Sequence, residues 1–128
     1  MVETNFMVNS IKHDLEENSF VAGRLSVVIR FHSEGCVEHL EQAVFSLAQQ
    51  NINDLEIVVA VKNPTDKLIS DIEEMVREQP WLYKPAVQIC HASMDEKIDA
   101  RVILLNKGIS AATGQYLSFL DFDDAIYP

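Results

Sequence analysis

The sequence predicts an α/β domain in which helices cover a mostly parallel sheet. Four short, apolar, β-branched segments alternate with three segments whose apolar residues recur every three or four positions. Strands that alternate with helices pair in parallel through right-handed crossovers, and strands covered on both faces are almost continuously apolar. The composition agrees, because 48% of the 128 residues are hydrophobic, which suits one domain with its own core.

The first half of the chain is predicted to hold two strands and the helix between them. Residues 1–24 are polar and weakly periodic, so we expect a flexible or partner-dependent arm, with regular structure beginning at Leu25. The apolar runs 25–31 and 55–61 are typical of buried strands. Ser33 is expected to cap the intervening helix, and Asn51 to mark its end. One apolar stripe defines that helix: Val37, Leu40, Val44 and Leu47.

The second half is predicted to continue the alternation. A helix opens at Pro64, Thr65 and Asp66 and stops before Pro80. A strand over 86–90 and a strand over 115–120 flank a third helix that ends near Gly114. The residues expected on the inner faces of these two helices are Ile69, Ile72 and Val76 for the first, and Ile98, Val102, Leu105 and Ile109 for the second.

Three carboxylates follow the fourth predicted strand directly. Asp121, Asp123 and Asp124 would repel one another at the end of a buried strand unless a cation or solvent intervened. Mg²⁺ or Mn²⁺ typically takes one or two carboxylates and fills its other positions with water and substrate phosphates. Ligands of open α/β sheets bind beyond the carboxyl ends of the strands. The chemistry alone leaves a metal site and a solvated Asp-rich loop equally open.

The residues around this cluster resemble the pattern of family 2 glycosyltransferases. Residues 106–124 read NKGISAATGQYLSFLDFDD, similar to the family's Asn-x-Gly-Ile helix end, Ala-x-Gly-Glu-Tyr, apolar strand and Leu-Asp-x-Asp-Asp. A weaker likeness extends over 25–128. The resemblance implies the N-terminal, nucleotide-sugar-binding half of such an enzyme. Its expected fold is the Rossmann-like GT-A nucleotide-diphospho-sugar transferase fold, truncated at the C-terminus.

The resemblance also implies roles for residues at the strand ends. Asp123 would bind Mn²⁺ or Mg²⁺ directly, Asp121 would face the ribose or the metal, and Asp124 would support them. The residues implied to contact the nucleotide are Arg30, Phe31, His32, Glu34, Val61 and Asp121. His32 as a loop histidine without a ligand, and Glu34 as a first-turn helix residue, remain alternatives. The donor would be a UDP-sugar and the acceptor is unknown; transfer would invert the anomeric carbon. The base would lie beyond Pro128, so this chain alone should be inactive.

Departures from the family pattern favour an alternative function. Val61, Lys62, Asn63 and Pro64 stand where the family has Asp-Asp-Gly-Ser, so a carboxylate that recognises the nucleotide is missing. Leu105 replaces an arginine, which also favours a non-catalytic domain that binds or assembles with partners. Lys62 itself is expected to be a solvated loop lysine rather than a phosphate ligand.

The charge balance restricts the partners of the domain. Ten Lys and Arg face 20 Asp and Glu, and the formal net charge of -10 argues against a nucleic-acid or anionic-membrane surface. Cys36 and Cys90 read as free thiols, and no segment resembles a signal peptide or a membrane span. We therefore expect a cytoplasmic location, with the membrane face an option for a full-length protein. An unpaired sheet edge is expected to promote homo-oligomers.

Overall fold

The computed structural model describes residues 20–32 and 35–122, and within these ranges strands and helices alternate as expected. The strands are β1 (Val21–His32), β2 (Leu55–Lys62), β3 (Ala86–Ala92) and β4 (Gly114–Asp121), and the helices are α1 (Val37–Ala48), α2 (Asp66–Arg77) and α3 (Arg101–Ala111). The strand order is β3-β2-β1-β4, and each pairing is parallel. The predicted α/β fold with a parallel sheet is confirmed.

Helices cover both faces of the sheet. Successive strand residues point to opposite faces, so one face of β1 and β2 packs with α1 and α2, and the other packs with α3. On the first face, Ile29, Ile57 and Val59 are completely buried beside Leu40 and Ile72. All eight residues of β2 are buried, which explains why its sequence is almost continuously apolar.

Helix α3 presents a different face to the sheet than the apolar periodicity predicts. Val102 is 69% exposed and Ile98 precedes the helix, so their predicted places on its inner face are wrong. The buried positions are Leu104 and Gly108. A β-carbon at Gly108 would lie 2.3 Å from Cγ1 of Val28, so only glycine permits this approach of helix and strand. A search for apolar side chains misses a contact made by glycine.

The start of β1 and the start of α1 differ from the prediction, whereas the end of α1 agrees with it. Strand β1 begins at Val21 rather than Leu25, because the amide of Val21 donates to the carbonyl of Thr113 (2.8 Å) and extends the sheet. The rest of the predicted arm, residues 1–19, lies outside the described residues. Cys36, rather than the predicted Ser33, is the N-cap of α1. Asn51 follows that helix with a left-handed φ of 54°, as its predicted role requires.

A buried carboxylate joins the amino-terminal ends of the strands. Glu56 is 2% exposed and accepts hydrogen bonds from Ser26 Oγ (2.7 Å), Gln88 Nε2 (2.8 Å), and the amide and hydroxyl of Thr113 (2.8 and 3.0 Å). Burial raises the pKa of Glu56, but these donors, led by the Thr113 amide, outweigh burial and lower it overall. Neutral donors therefore stabilise a charge inside the sheet.

Of the helices described, none combines the length and apolarity needed to cross a membrane.

Candidate functional site

A cleft of about 430 Å³ opens at the carboxyl edge of the sheet. The ends of β1, β2 and β4 form its floor, and the segment that leads into α3 forms one wall. The chain passes from β1 through β2 to β3 on one side and then returns to place β4 on the other side of β1. Such a reversal of strand order is where α/β sheets bind ligands, because the connections diverge and leave a crevice. A cavity therefore lies at the strand ends where the sequence predicts that a ligand binds.

The cleft is more cationic than the protein as a whole. Its lining includes the side chains of Arg30, Lys62 and Arg101, against the carboxylates of Asp99 and Asp121. The chain carries a formal net charge of -10, so this local excess of cations runs against the overall balance. Among the described lining residues, cations outnumber carboxylates by three to two, whereas the whole chain has twice as many acidic as basic residues.

Arg30 and Asp121 form an ion pair across the floor of the cleft. They are partners in the register of β1 and β4, and Arg30 Nη2 donates to Asp121 Oδ1. The side chains are 27% and 47% exposed, so both are open to a ligand in the cleft. The carboxylate that the sequence predicts to face a ribose or a metal is therefore paired with a guanidinium.

Lys62 and Asn63 attach the wall of the cleft to the end of β2. Lys62 Nζ donates to the carbonyls of Glu96 (2.9 Å) and Ile98 (2.8 Å), and only 8% of Lys62 is exposed. The prediction of a solvated loop lysine is wrong, because the strand continues through Lys62 and carries its amine under the loop. Asn63 Nδ2 donates to the carbonyl of Met94, and Asn63 Oδ1 accepts from the Met94 amide, both at 2.7 Å.

A second ion pair stands at the rim of the cleft. Arg101 donates through Nε (3.1 Å) and Nη2 (2.7 Å) to the two oxygens of Asp99. The hydrogen bonds from the Arg101 side chain and amide hold the pKa of Asp99 at about 2. Asp99 raises the pKa of Arg101, and Asp121 adds to that rise, which places Arg101 within the field of the floor carboxylate. Sequence reasoning missed both residues, because an Asp and an Arg two positions apart match no motif.

Aromatic rings line the opposite part of the cleft. His32 meets Phe122 edge to face, with ring centroids 5.2 Å apart, and Phe31 lies against Phe122 at the same separation. His32 is exposed, whereas Phe31 is fully buried beneath it. The buried Phe31 ring packs against Phe122, and Phe122 packs against His32, so the three rings form an edge-to-face cluster next to the charged floor of the cleft.

The structure brings together four of the residues implied to contact a nucleotide: Arg30, Phe31, His32 and Asp121. Val61 is fully buried in the core beneath α1 and α2 and does not line the cleft. Glu34, Asp123 and Asp124 lie outside the described residues. Within residues 20–32 and 35–122, no group of three or more His, Cys, Asp or Glu is placed to hold a metal ion, so the aspartate metal site stays a prediction.

A four-stranded parallel sheet with helices on both faces and a cleft at its switch point is a Rossmann-like α/β domain, the architecture expected of the GT-A type. Residues 26–128 match the model of Glycosyl transferase family 2, and the chain belongs to this family. The resemblance seen in the strand-end motifs is thereby confirmed, and with it the class of enzyme to which the domain belongs.

The chain is similar to curated glycosyltransferases from distant organisms. It is 31% identical over 105 residues to the uncharacterized glycosyltransferase YibD of Escherichia coli (strain K12), a match that covers 82% of this chain and 27% of the relative. It is 29% identical over 105 residues to the uncharacterized glycosyltransferase alr2836 of Nostoc sp. (strain PCC 7120), covering 82% and 30%. The matched part of the chain thus spans less than a third of either relative.

Proposed function

We propose that this domain binds a nucleoside diphosphate sugar, a UDP-sugar by preference, in the cleft between β1 and β4. A single observation carries the proposal: a chain of net charge -10 places three cationic side chains (Arg30, Lys62 and Arg101) and, among the described residues, only two carboxylates (Asp99 and Asp121) around one cavity at the switch point of its sheet. A diphosphate is the part of such a donor that needs cations. The exposed ring of His32 offers a surface against which a base can lie.

The residues present fit a divalent cation in part. Mg²⁺ and Mn²⁺ prefer oxygen ligands and need few from the protein when substrate phosphates supply others. Asp121 offers such a carboxylate at the cleft floor, with 47% of its side chain exposed. In this proposal Asp121 holds the cation together with Asp123 and Asp124, which follow it in sequence. The cation would supply neutralisation of the charge that develops on the departing diphosphate.

The activity of a longer protein extends this proposal. A family 2 enzyme would transfer the sugar to an acceptor hydroxyl, with inversion at the anomeric carbon, once a base took the acceptor proton. The described residues contribute the donor side of that reaction. Arg30 would contact the diphosphate, and His32 and Phe122 would lie beside the base. Lys62 and Asn63 hold the loop that forms one wall.

A second candidate function is a non-catalytic domain of the same fold that binds or assembles with partners. One observation favours it. Val61 stands where the family resemblance expects a nucleotide-recognising carboxylate, and it is fully buried away from the cleft. Neither Val61 nor Lys62 has a side-chain acceptor for a hydrogen bond from a base, and the Lys62 amine already donates to two loop carbonyls.

Calorimetric titration with UDP, in the presence and absence of Mn²⁺, tests the first proposal. We expect Mn²⁺-dependent binding that Asp121→Asn and Asp123→Asn each weaken at least tenfold, since each loses a charged ligand. Asp54→Asn is the matched control, because Asp54 is 41% exposed and also pairs with an arginine of β1, Arg24, at the other edge of the sheet. Folded protein that binds no UDP under either condition would favour the non-catalytic domain.

A further inference from the structure

We propose that Arg30 is an exchangeable counterion of Asp121. In the free domain the Arg30 guanidinium is bonded to the Asp121 carboxylate. When a divalent cation binds Asp121, Arg30 moves to the diphosphate that arrives with the cation. This inference rests on the proposed function and deepens it, because it names a positioning residue that couples the cation to the nucleotide. Arg30 acts on the donor only after Asp121 releases it.

The geometry of the sheet places the pair where a ligand can separate it. Arg30 and Asp121 are directly opposite in the β1–β4 register, and their side chains form an ion pair. Both line the cleft, and both are partly exposed. A pair with this exposure contributes little to stability, so the fold can tolerate its separation.

Positive side chains near Asp121 oppose the binding of a divalent cation to its carboxylate. A divalent cation on Asp121 would lie beside the guanidinium that the same carboxylate now binds, and the two positive groups repel each other. Arg101 adds repulsion from the rim, but Asp99 already engages it through two hydrogen bonds. Among the described residues, Arg30 bonds one carboxylate oxygen, whereas Arg101 bonds both oxygens of Asp99, so Arg30 is the cation that can leave. Cation binding without a nucleotide is therefore opposed.

A diphosphate removes that opposition. Its oxygens match the planar guanidinium and accept two parallel hydrogen bonds from it, which a lone carboxylate oxygen does not. Arg30 therefore gains a better partner at the moment at which Asp121 gains the cation. The two ligands should bind cooperatively, each raising the affinity for the other by the same factor.

Substitution of Arg30 by Met tests this exchange, because Met keeps much of the stem and removes the charge. Mn²⁺ is titrated without nucleotide, with free Mn²⁺ followed by electron paramagnetic resonance. We expect Arg30→Met to bind Mn²⁺ about tenfold more tightly than the unaltered chain, and UDP at saturating Mn²⁺ about tenfold more weakly. Arg30→Gln should change both affinities in the same directions, and it provides a second folded variant.

Arg24→Met is the matched control. Arg24 also lies on β1 and pairs with an aspartate at 2.9 Å, and its pair has nearly the same exposure, 24% and 41%, but at the amino-terminal edge. We expect it to change neither affinity. If Arg30→Met and Arg30→Gln bind Mn²⁺ no more tightly than the unaltered chain, or if no variant binds Mn²⁺, the counterion role is overturned.

The two titrations separate this inference from the proposed function. If the unaltered chain binds UDP with Mn²⁺ and neither Arg30 variant alters the two affinities, the donor site stands and the exchange is overturned. If the Arg30 variants gain Mn²⁺ affinity while no protein binds UDP, competition between Arg30 and the cation for Asp121 is supported, and the donor-binding function is overturned. Opposite shifts in the two affinities support both.

Discussion

Replacement of Glu56 by Gln is the sharpest test of how this sheet is held together. The two side chains have nearly the same size, so the change removes a charge and an acceptor without opening a cavity. One carboxylate oxygen accepts from Ser26 Oγ and the Thr113 amide, and the other accepts from Gln88 Nε2 and the Thr113 hydroxyl. A glutamine must turn its NH₂ group toward one of these two sets.

Either orientation places two donors against each other. Gln88 Nε2 bonds both Glu56 and the carbonyl of Ala111, each at 2.8 Å, so its two hydrogens are already committed. The Thr113 amide cannot reverse its direction at all. A buried donor without an acceptor costs about 1–3 kcal/mol, and here two opposed N–H groups lack an acceptor, so we expect a loss of about 2–6 kcal/mol. That is a large fraction of the roughly 5–15 kcal/mol typical of a domain.

Urea unfolding followed by circular dichroism measures this loss. We expect a lower midpoint with an unchanged slope, which identifies a change of stability rather than of compactness. Glu74→Gln, an exposed position on α2, is the control and should stay within about 0.5 kcal/mol of the unaltered chain. A Glu56→Gln variant as stable as the control would refute the reasoning that neutral donors stabilise this buried charge.

The same residue gives the stability a dependence on pH. The folded pKa of Glu56 lies below its ordinary value of 4.5, so the unfolded chain binds more protons between the two values. The contribution of Glu56 is therefore complete above pH 4.5 and is lost as the pH falls through the lower, folded pKa. We expect the difference between the unaltered chain and Glu56→Gln to shrink as the pH is lowered from 6 to 3 in roughly half-unit steps. A constant difference would contradict this assignment.

Two further predictions concern α3 and β4. Gly108→Ala should destabilise the domain by about 2 kcal/mol because its new methyl group would overlap Val28, although Gly→Ala ordinarily stabilises a helix by about 1 kcal/mol. Urea unfolding measures the change, with the exposed position Ser110→Ala as the control. A gain in stability would contradict the close packing. Among the described residues β4 pairs only with β1, which leaves its other edge open. We therefore expect concentration-dependent self-association in sedimentation velocity, weakened by Tyr116→Lys on this strand. A clean monomer at every accessible concentration would count against it.

The fold was largely predictable because apolar residues follow one another in its buried strands and recur every three or four positions in its helices. The apolar runs of β1 and β2 and the stripe of α1 are local signals, and they place those elements to within a few residues. Two features depended on tertiary contacts instead. The start of β1 at Val21 depends on a hydrogen bond to Thr113, and the inner face of α3 depends on the absence of a side chain at Gly108. Neither cause is visible in a local window.

The site was predictable in position more than in composition. Parallel strands bring their carboxyl ends to one edge, which is enough to place Arg30, His32 and Asp121 together. The pairing of Arg30 with Asp121 requires the strand order, and the burial of Lys62 requires the path of a loop over it. Charged residues at strand ends look alike in a sequence, whether they face solvent, a loop or each other.

The place of β1 between β2 and β4 also bears on how the domain folds. β1 and β2 are close in sequence and can pair early, but Arg30 and its partner Asp121 are 91 residues apart. Closing so long a loop is slow and entropically costly, and β4 is the strand that must close it. During synthesis the nascent chain therefore carries most of its sheet before the cleft can form. A chaperone or a protease that meets the domain at that stage meets an open sheet edge where the cleft will later be.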